Sequence, residues 1–355
     1  MRIIQLIDSL EAGGAERMAV NYANSLSEKI AFSGLVTTRE EGVLKKQIEE
    51  NVSYLFLKKK KALDLKALFK LRQFVKTNNV GIVHAHGTSF FIAVLLKLVT
   101  PHIRIVWHDH YGNSEFLDRR PASVLSFCSL FFEGIITVNS KLEVWARKNL
   151  RCKKVLFLSN FVSFENESKE KTQLKGIDGK RIVCLANLRE QKNHLLLLEV
   201  AKKIKFDFPE WTFHLIGKDF EDRYSERVKE IIEKDSLSEL VFLYGTREDV
   251  ENILCQCEIA ILTSSSEGLP VALLEYGYYG KAVVATNVGQ IASVVKDKEN
   301  GLLVESNDVV QFYSQLALLI DNSSLKIQLG KKLKETILSD YTEKAVIDTY
   351  LEFLT

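Results

Sequence analysis

The sequence has five cysteines, Cys128, Cys152, Cys184, Cys255 and Cys257, too scattered for a disulfide framework and odd in number. Cys255 and Cys257 lack the two-residue gap of a zinc knuckle or redox pair. All five therefore read as small hydrophobes in a reducing compartment. Net charge is also missing: 48 Lys and Arg against 46 Asp and Glu leave +2. That excludes a global field for nucleic acid, and any attraction to an anionic surface has to come from a local patch. Long hydrophobic runs are absent too. The longest, Phe90–Val99 and Val124–Phe132, fall short of the roughly 20 residues of a bilayer-spanning helix. The opening stretch from Met1 to Asp8 reads as a strand, not a secretory leader. The expectation is a soluble cytoplasmic protein, or one that lies on a membrane face.

What is present is a regular alternation. Short β-branched runs separate longer amphipathic ones from end to end, the pattern of βαβ units around parallel sheets. In the first half the predicted strands are Arg2–Ile7, Gly34–Thr38, Tyr54–Leu57, Gly81–His84, Arg104–Trp107, Gly134–Val138 and Lys154–Phe157. A polar, charged stretch from Glu165 to Gly179 reads as a linker. The pattern then restarts with Arg181–Ala186, Thr212–Ile216, Val241–Leu243, Ile259–Leu262, Ala282–Ala285 and Gly301–Val304, and Asp308–Leu354 reads as helices only. At 355 residues the chain is long for one core and comfortable for two. The expected division is 1–165, a linker over 166–180, 181–340, and a last helix over 341–355 able to cross back to the first domain. Open α/β sheets bind ligands beyond the carboxyl ends of their strands, so residues that directly follow strands are the candidates.

The strongest candidate run goes from Thr263 to Glu275 and contains Glu267, Gly268, Leu269, Pro270 and Glu275. It follows the strand Ile259–Leu262. Gly268 permits a tight turn, and Pro270 sits where a helix should begin, at its favoured N1 position. A helix starting there offers N–H groups to an anion or hydroxyl, and two carboxylates nearby can accept from sugar hydroxyls. Taken alone, the run is equally a helix cap with one exposed glutamate.

Glu267, Gly268, Pro270 and Glu275 match the E-x7-E motif of retaining glycosyltransferases of the GT-B fold, and the surrounding run resembles family 4. Gly280 to Gly289 is similar to that family's next strand and loop. The resemblance implies two Rossmann-like, doubly wound parallel-sheet domains facing a central cleft. It also implies that Glu267 contacts the donor sugar and Glu275 the nucleotide ribose.

Other loops fit the same resemblance. Gly13 and Gly14, after the first strand, let the backbone pass close to a phosphate or sugar before a helix N-terminus, although the full dinucleotide fingerprint is absent. They resemble the family's glycine-rich first loop. The segment Asn187 to His194 resembles the family stretch whose arginine and lysine hold the donor phosphates. Lys192 matches the lysine, Asn187 stands in place of the arginine, and Arg189 is the possible substitute. Gly217 and Arg247 follow strands and look like base-side loops of the donor pocket.

Histidines cluster after strands: His84 and His86, then His108 and His110 around Asp109. Such a set can bind metal, carry protons or cap a sheet edge. The Trp107-His108-Asp109 segment resembles the place where the family keeps a histidine near the transferred sugar. His108 is therefore a catalytic candidate with Glu267 and Lys192, and His84, His86, Asp109 and His110 are acceptor-side candidates. The family generally needs no metal, so neither metal nor cofactor is expected, the nucleotide diphosphate sugar being a substrate.

Lys58, Lys59, Lys60 and Lys61 precede Lys66, Lys70, Arg72 and Lys76, interleaved with Leu63, Leu65, Leu68, Phe69, Leu71 and Phe74. A basic amphipathic helix can lie on an anionic membrane. The implied reaction is transfer of a sugar from a nucleotide diphosphate sugar, UDP before GDP, to a hydroxyl of a glycan or lipid-linked glycan, in bacterial surface polysaccharide biosynthesis. Two other readings stay open: a sugar-nucleotide epimerase of the same architecture, and a non-catalytic nucleotide-sugar-binding subunit, which Asn187 favours.

Overall fold

The computed structural model describes residues 1–162 and 171–355. The chain divides into two compact units, one of Met1–Glu165 with Glu343–Thr355, the other of Asn166–Thr342. All thirteen predicted strands are present, each end within two residues of its expected place.

The first unit holds β1 (Arg2–Ser9), β2 (Phe32–Glu40), β3 (Ser53–Phe56), β4 (Ile82–His86), β5 (Arg104–Asp109), β6 (Gly134–Thr137) and β7 (Val155–Phe157). Between them run helices α1 (Gly14–Ser27), α2 (Leu65–Thr77), α3 (Phe90–Val99), α4 (Ser123–Cys128) and α5 (Ser140–Asn149). The second unit holds β8 (Arg181–Leu185), β9 (Thr212–Ile216), β10 (Val241–Gly245), β11 (Ile259–Leu262), β12 (Ala282–Thr286) and β13 (Leu302–Val304). Its helices are α6 (His194–Asp207), α7 (Arg223–Lys234), α8 (Val250–Cys255), α9 (Val271–Tyr278), α10 (Ile291–Val294), α11 (Val309–Asp321) and α12 (Ser323–Asp340). The final helix, α13 (Glu343–Leu354), belongs to the first unit and packs beside α1.

Strand order is β3-β2-β1-β4-β5-β6-β7 in one sheet and β10-β9-β8-β11-β12-β13 in the other. Every registered pair is parallel. In both sheets the winding reverses next to the first strand, between β1 and β4 and between β8 and β11. That reversal opens a crevice at the carboxyl edge of the sheet, where ligands of such folds bind.

The helices begin where short polar side chains can accept from the orphan N–H groups of a first turn. Asp64 accepts from Ala67 N at 3.0 Å, Asn139 from Leu142 N at 2.7 Å and Asp308 from Gln311 N at 2.8 Å. Asp222 and Ser225 complete a reciprocal capping box on α7. Leu, Ile and Val from strands and helices then seal each unit's own core.

The first five residues of the predicted linker, 166–170, lie outside the described residues. The rest is fastened to the second unit. Thr172 donates from its N–H and its hydroxyl to Asp249, at 2.5 and 2.8 Å, and Leu174 N donates to Gln256 at 3.1 Å.

Candidate functional site

In the second unit the loops after β8 and β11 meet. Lys192 ends a short 3-10 turn, Glu190–Lys192, and Asn193 follows in a left-handed conformation (φ 50°) as the N-cap of α6. Lys192 Nζ donates to Glu267 Oε1 at 2.5 Å, and Ser264 Oγ donates to the same oxygen at 2.7 Å. Backbone contacts fix this geometry: Thr263 Oγ1 donates to Lys192 O at 3.0 Å, and Ser265 N donates to Gln191 O at 2.8 Å. Glu267 is only 5% exposed. A carboxylate so enclosed needs its partners, because burial without them is costly.

Gly268 O accepts from Gln290 N at 2.9 Å, which brings the β12–α10 loop across the Glu267 peptide. Gly289 makes that crossing possible. Its φ is +59°, and a Cβ there would overlap the Glu267 carbonyl oxygen. Pro270 is extended (φ −69°, ψ 124°) and serves as the N-cap of α9, one position earlier than the expected N1. Leu269 is buried beside it. Glu275 lies inside α9 and is half-buried.

Asn187, where the family keeps an arginine, has a structural task. Its Oδ1 accepts from Lys218 N at 2.7 Å and ties the β8 loop to the β9 loop. The two loops pass so closely that a Cβ on Gly217 would overlap the Ala186 carbonyl oxygen. Arg189 is exposed, with its guanidinium 4.5 Å from the centre of the Phe220 ring. Arg247 is exposed as well, and its side chain donates to Thr246 O. The loops thus bring Lys192 and Glu267 into direct contact, while Asn187 is committed elsewhere.

The first unit places its candidates differently. Gly13 is the N-cap of α1 and Gly14 its first residue, so the glycine pair heads that helix at the carboxyl edge of β1. Of the four histidines only His110 follows a strand. β4 and β5 run two residues further than predicted, so His84, His86, His108 and Asp109 lie inside them. Register pairs Gln5 with His84 and His86 with His108, which puts all four side chains on one face of the sheet.

That face is a sealed polar layer. His84 Nδ1 lies 3.0 Å from Tyr350 Oη on α13. His86 Nε2 lies 2.8 Å from Gln5 Oε1, and His86 Nδ1 lies 2.9 Å from His110 Nε2. With Oε1 accepting, His86 carries its proton on Nε2, and the His110 Nε2–H donates into the layer. Burial pushes His84, His86 and His108 well below the usual imidazole range and His110 down to about 3. His84, His86 and His108 have no exposed surface, whereas His110 is half-buried and is the ring that reaches outward. The expectation that His108 itself touches a sugar does not suit a ring so enclosed.

Ligating atoms of His84, His86 and His108 lie within 4.8 Å of one another, close enough to gather around a metal ion. Both nitrogens of His86 are engaged by Gln5 and His110, so a metal would find a nitrogen without a hydrogen-bond partner on His84, at Nε2, and on His108. Asp109 is held by Arg120, whose two terminal nitrogens lie 2.6 and 2.8 Å from its two oxygens. The guanidinium lies 4.3 Å from the Tyr111 ring centre and 4.2 Å from that of Trp145. Burial raises the Asp109 carboxyl, and Arg120 opposes that rise.

These geometries accord with comparisons to known proteins. Residues 165–336 match the model for glycosyl transferases group 1, and residues 12–165 match that for glycosyltransferase family 4. The chain belongs to the family 4 glycosyltransferases. It is 23% identical to an uncharacterized glycosyltransferase of Haemophilus influenzae, over 96% of this chain and 95% of the other. It is 25% identical to the Escherichia coli UDP-Gal:alpha-D-GlcNAc-diphosphoundecaprenol alpha-1,3-galactosyltransferase, over 78% of this chain and 76% of that one. Among solved structures, Anabaena HepE in complex with UDP and glucose superposes with a TM-score of 0.80 at 16% identity, covering 100% of this chain and 99% of that one. The glycosyltransferase fold is thus GT-B, and the chain is a transferase.

Two residues of this enzyme escaped sequence reasoning. Arg120 sits in a loop with no motif, and nothing in its local sequence marks a cation held between two rings. Tyr276 reads as one more apolar residue of α9. It is fully buried, and its hydroxyl accepts from Leu185 N at 2.6 Å and lies 3.4 Å from Ile261 O. β8 and β11 are in register over only two residue pairs before they part. The Tyr276 hydroxyl satisfies the backbone where they separate.

Proposed function

We propose that this glycosyltransferase moves a sugar, with retention of anomeric configuration, from a UDP-sugar to a hydroxyl of a lipid-linked glycan in bacterial surface polysaccharide assembly. The observation that carries the reading is the Lys192–Glu267 pair at the switch point of the second sheet. Negative charge develops on the leaving diphosphate during transfer, and a preorganised ammonium stabilises it. Lys192 is in position for that role, and Glu267 retains the Ser264 hydroxyl as a partner when Lys192 turns to the phosphate. Glu267 orients the sugar hydroxyls, and Glu275 accepts from the ribose. Arg189 adds positive charge in place of the arginine that Asn187 replaces. The first turn of α1, after Gly13 and Gly14, supplies backbone N–H groups. His110 meets the sugar or acceptor at the exposed end of the histidine chain, and His108 positions it from behind.

UDP is favoured because the Escherichia coli relative uses UDP-Gal and HepE binds UDP and glucose. A lipid diphosphate acceptor is favoured by the diphosphoundecaprenol in the name of the first of these. Membrane contact falls to Lys58, Lys60 and Lys61, which are exposed beside Leu63, Leu65 and Phe69, at 66%, 67% and 57%. Lys59 does not share it, since its side chain is buried. No described helix is long and apolar enough to cross a membrane. No divalent metal takes part, the charge being met by Lys192 and Arg189.

The test is a thermal-shift panel of UDP-, GDP-, ADP- and CMP-sugars on the wild type and Glu275→Ala, followed by UDP-release assays with and without a chelator. Ligand binding to the folded state raises its melting temperature. The expected result is a shift for UDP-sugars that is lost in the variant, and turnover that the chelator leaves unchanged. A shift confined to another base, or chelator-sensitive turnover, would overturn that part of the reading.

A further inference from the structure

A second charged site lies in the first unit, at the carboxyl ends of β1 and β2. Asp8 stands near the end of β1, and both its oxygens are already satisfied by hydroxyls. Thr38 donates to one, and Thr88 donates to the other at 2.6 Å. Two cations face this carboxylate without displacing those hydroxyls. Lys59 Nζ and Arg39 Nε each lie 3.8 Å from Asp8 Oδ1, an ion-pair separation and not a hydrogen bond.

Lys59 is the unusual member. Its side chain is 3% exposed, yet its ammonium makes no hydrogen bond among the described residues. An ammonium has three donors, and those of Lys59, at the end of a largely buried stem, are left to solvent or a ligand. Desolvation lowers the Lys59 pKa, and the neighbouring Arg39 pushes the same way against Asp8. The backbone is bent to deliver this residue. Lys58 takes a left-handed conformation (φ 57°), unfavourable for a lysine, and Lys59 N is then pinned to Thr38 O at 2.7 Å. Arg39 and Lys59 both face Asp8, and Asp64 also acts on Lys59; each cation still has donors to spare, at the sheet edge where such folds bind ligands. An ammonium beside a guanidinium fork is the donor set that phosphoryl oxygens take. The same segment continues directly into exposed Lys60, Lys61 and Leu63.

We infer that Lys59 and Arg39 form a phosphoryl subsite for the acceptor, so that the sugar is delivered to a substrate that carries phosphate or diphosphate near its acceptor hydroxyl. This deepens the glycosyl-transfer reading above and rests on it for the word acceptor. Thr38 and Thr88 keep Asp8 ionised and in place, and Asp8 keeps the two cations together when the subsite is empty.

The test is calorimetric titration of the full chain with inorganic pyrophosphate, with UDP saturating so that the donor phosphate positions are filled. Wild type should bind at one site. Lys59→Gln and Arg39→Gln should weaken binding at least tenfold, and Arg39→Lys should recover part of it. Lys59→Met guards against misfolding, since it fills the buried slot with an uncharged chain of similar length. Lost binding with an unchanged or raised melting temperature assigns the effect to charge. Farnesyl diphosphate binding much tighter than pyrophosphate would mark a lipid-borne source, and glycerol 3-phosphate binding as well as pyrophosphate would mark a polyol phosphate. Either outcome supports the subsite. No pyrophosphate binding by the wild type, or binding that survives both Lys59→Met and Arg39→Gln, overturns it. UDP binding in the same samples reports on the donor site separately, so that reading can stand when this one falls.

Discussion

The two sheets of this glycosyltransferase share a strand order, yet each carries a polar cluster built in a way the other's is not. In the second unit the charged pair Lys192–Glu267 rides on loops beyond β8 and β11, tied down by backbone hydrogen bonds. In the first unit four histidines, Gln5 and Tyr350 lie on or against the sheet face itself, under helices. One arrangement keeps its charge at a sheet edge. The other keeps neutral donors and acceptors sealed, where protonation is penalised. The same winding can therefore supply a charged pair on loops or an uncharged layer on the sheet face, according to whether the strands stop before the polar residues or run through them.

Acid should separate the two units most strongly. Six histidines are depressed by burial: His84, His86, His108 and His110 in the first unit, and His194 and His214, each to about 4, in the second. A depressed histidine binds fewer protons folded than unfolded, so stability is lost as pH falls below about 6.5, the unfolded value, and goes on falling until the folded value is reached. Between those values the unfolded chain binds more protons than the folded one at each of these sites, so stability keeps falling as the pH is lowered. Four of the six belong to the first unit. Hydrogen exchange between pH 7 and 5 should show its peptides losing protection before those of the second unit. Equal loss in both would break the contrast. Arg120→Ala strikes the same unit by another route, leaving the buried Asp109 carboxylate unpaired. A loss of about 3–5 kcal/mol is expected in chemical denaturation.

On the other side of the comparison, Lys192→Ala should lower the melting temperature only modestly, because Glu267 keeps the Ser264 hydroxyl, and should lower kcat by about 10²–10³-fold, the usual effect of removing one preorganised donor. UDP-release assays at saturating donor measure it. A kcat within threefold of wild type would show that the diphosphate is stabilised elsewhere.

Much of the fold was legible because burial imposes a period on the sequence. Strands such as Ile259–Leu262, buried on both faces, are continuous apolar runs bounded by turn residues. The loop constellation was legible for a related reason: Glu267, Gly268 and Pro270 interrupt such a run with residues whose backbone preferences mark a boundary. The histidines misled because polar residues after Val83 and Trp107 look like loop. Only cross-strand partners such as Gln5, more than 80 positions away from His86, reveal that the strand continues. Lys59 misled in the same way. Within a run of four lysines nothing distinguishes the one that turns inward, because the cause lies in the left-handed Lys58 and in Asp8, about 50 positions earlier.

Tyr276 offers the finest test of what sets the spacing of the β8 and β11 loops. β8 and β11 part after two registered pairs, and the Leu185 N–H, which has no strand partner on that side, donates to the Tyr276 hydroxyl. Burial raises the phenol well above its ordinary range, so the hydroxyl stays neutral and can accept. Tyr276→Phe keeps the ring and its packing and removes only the oxygen. The Leu185 N–H is then left without its acceptor, which should lower stability by about 1–3 kcal/mol. The strands can relieve that loss by closing toward one another, which would shift the Lys192 loop on β8 relative to the Glu267 loop on β11. A purely structural hydroxyl would change the melting temperature alone. A spacer between the loops would also raise the KM for the donor, and comparing the two measurements on one variant decides between them.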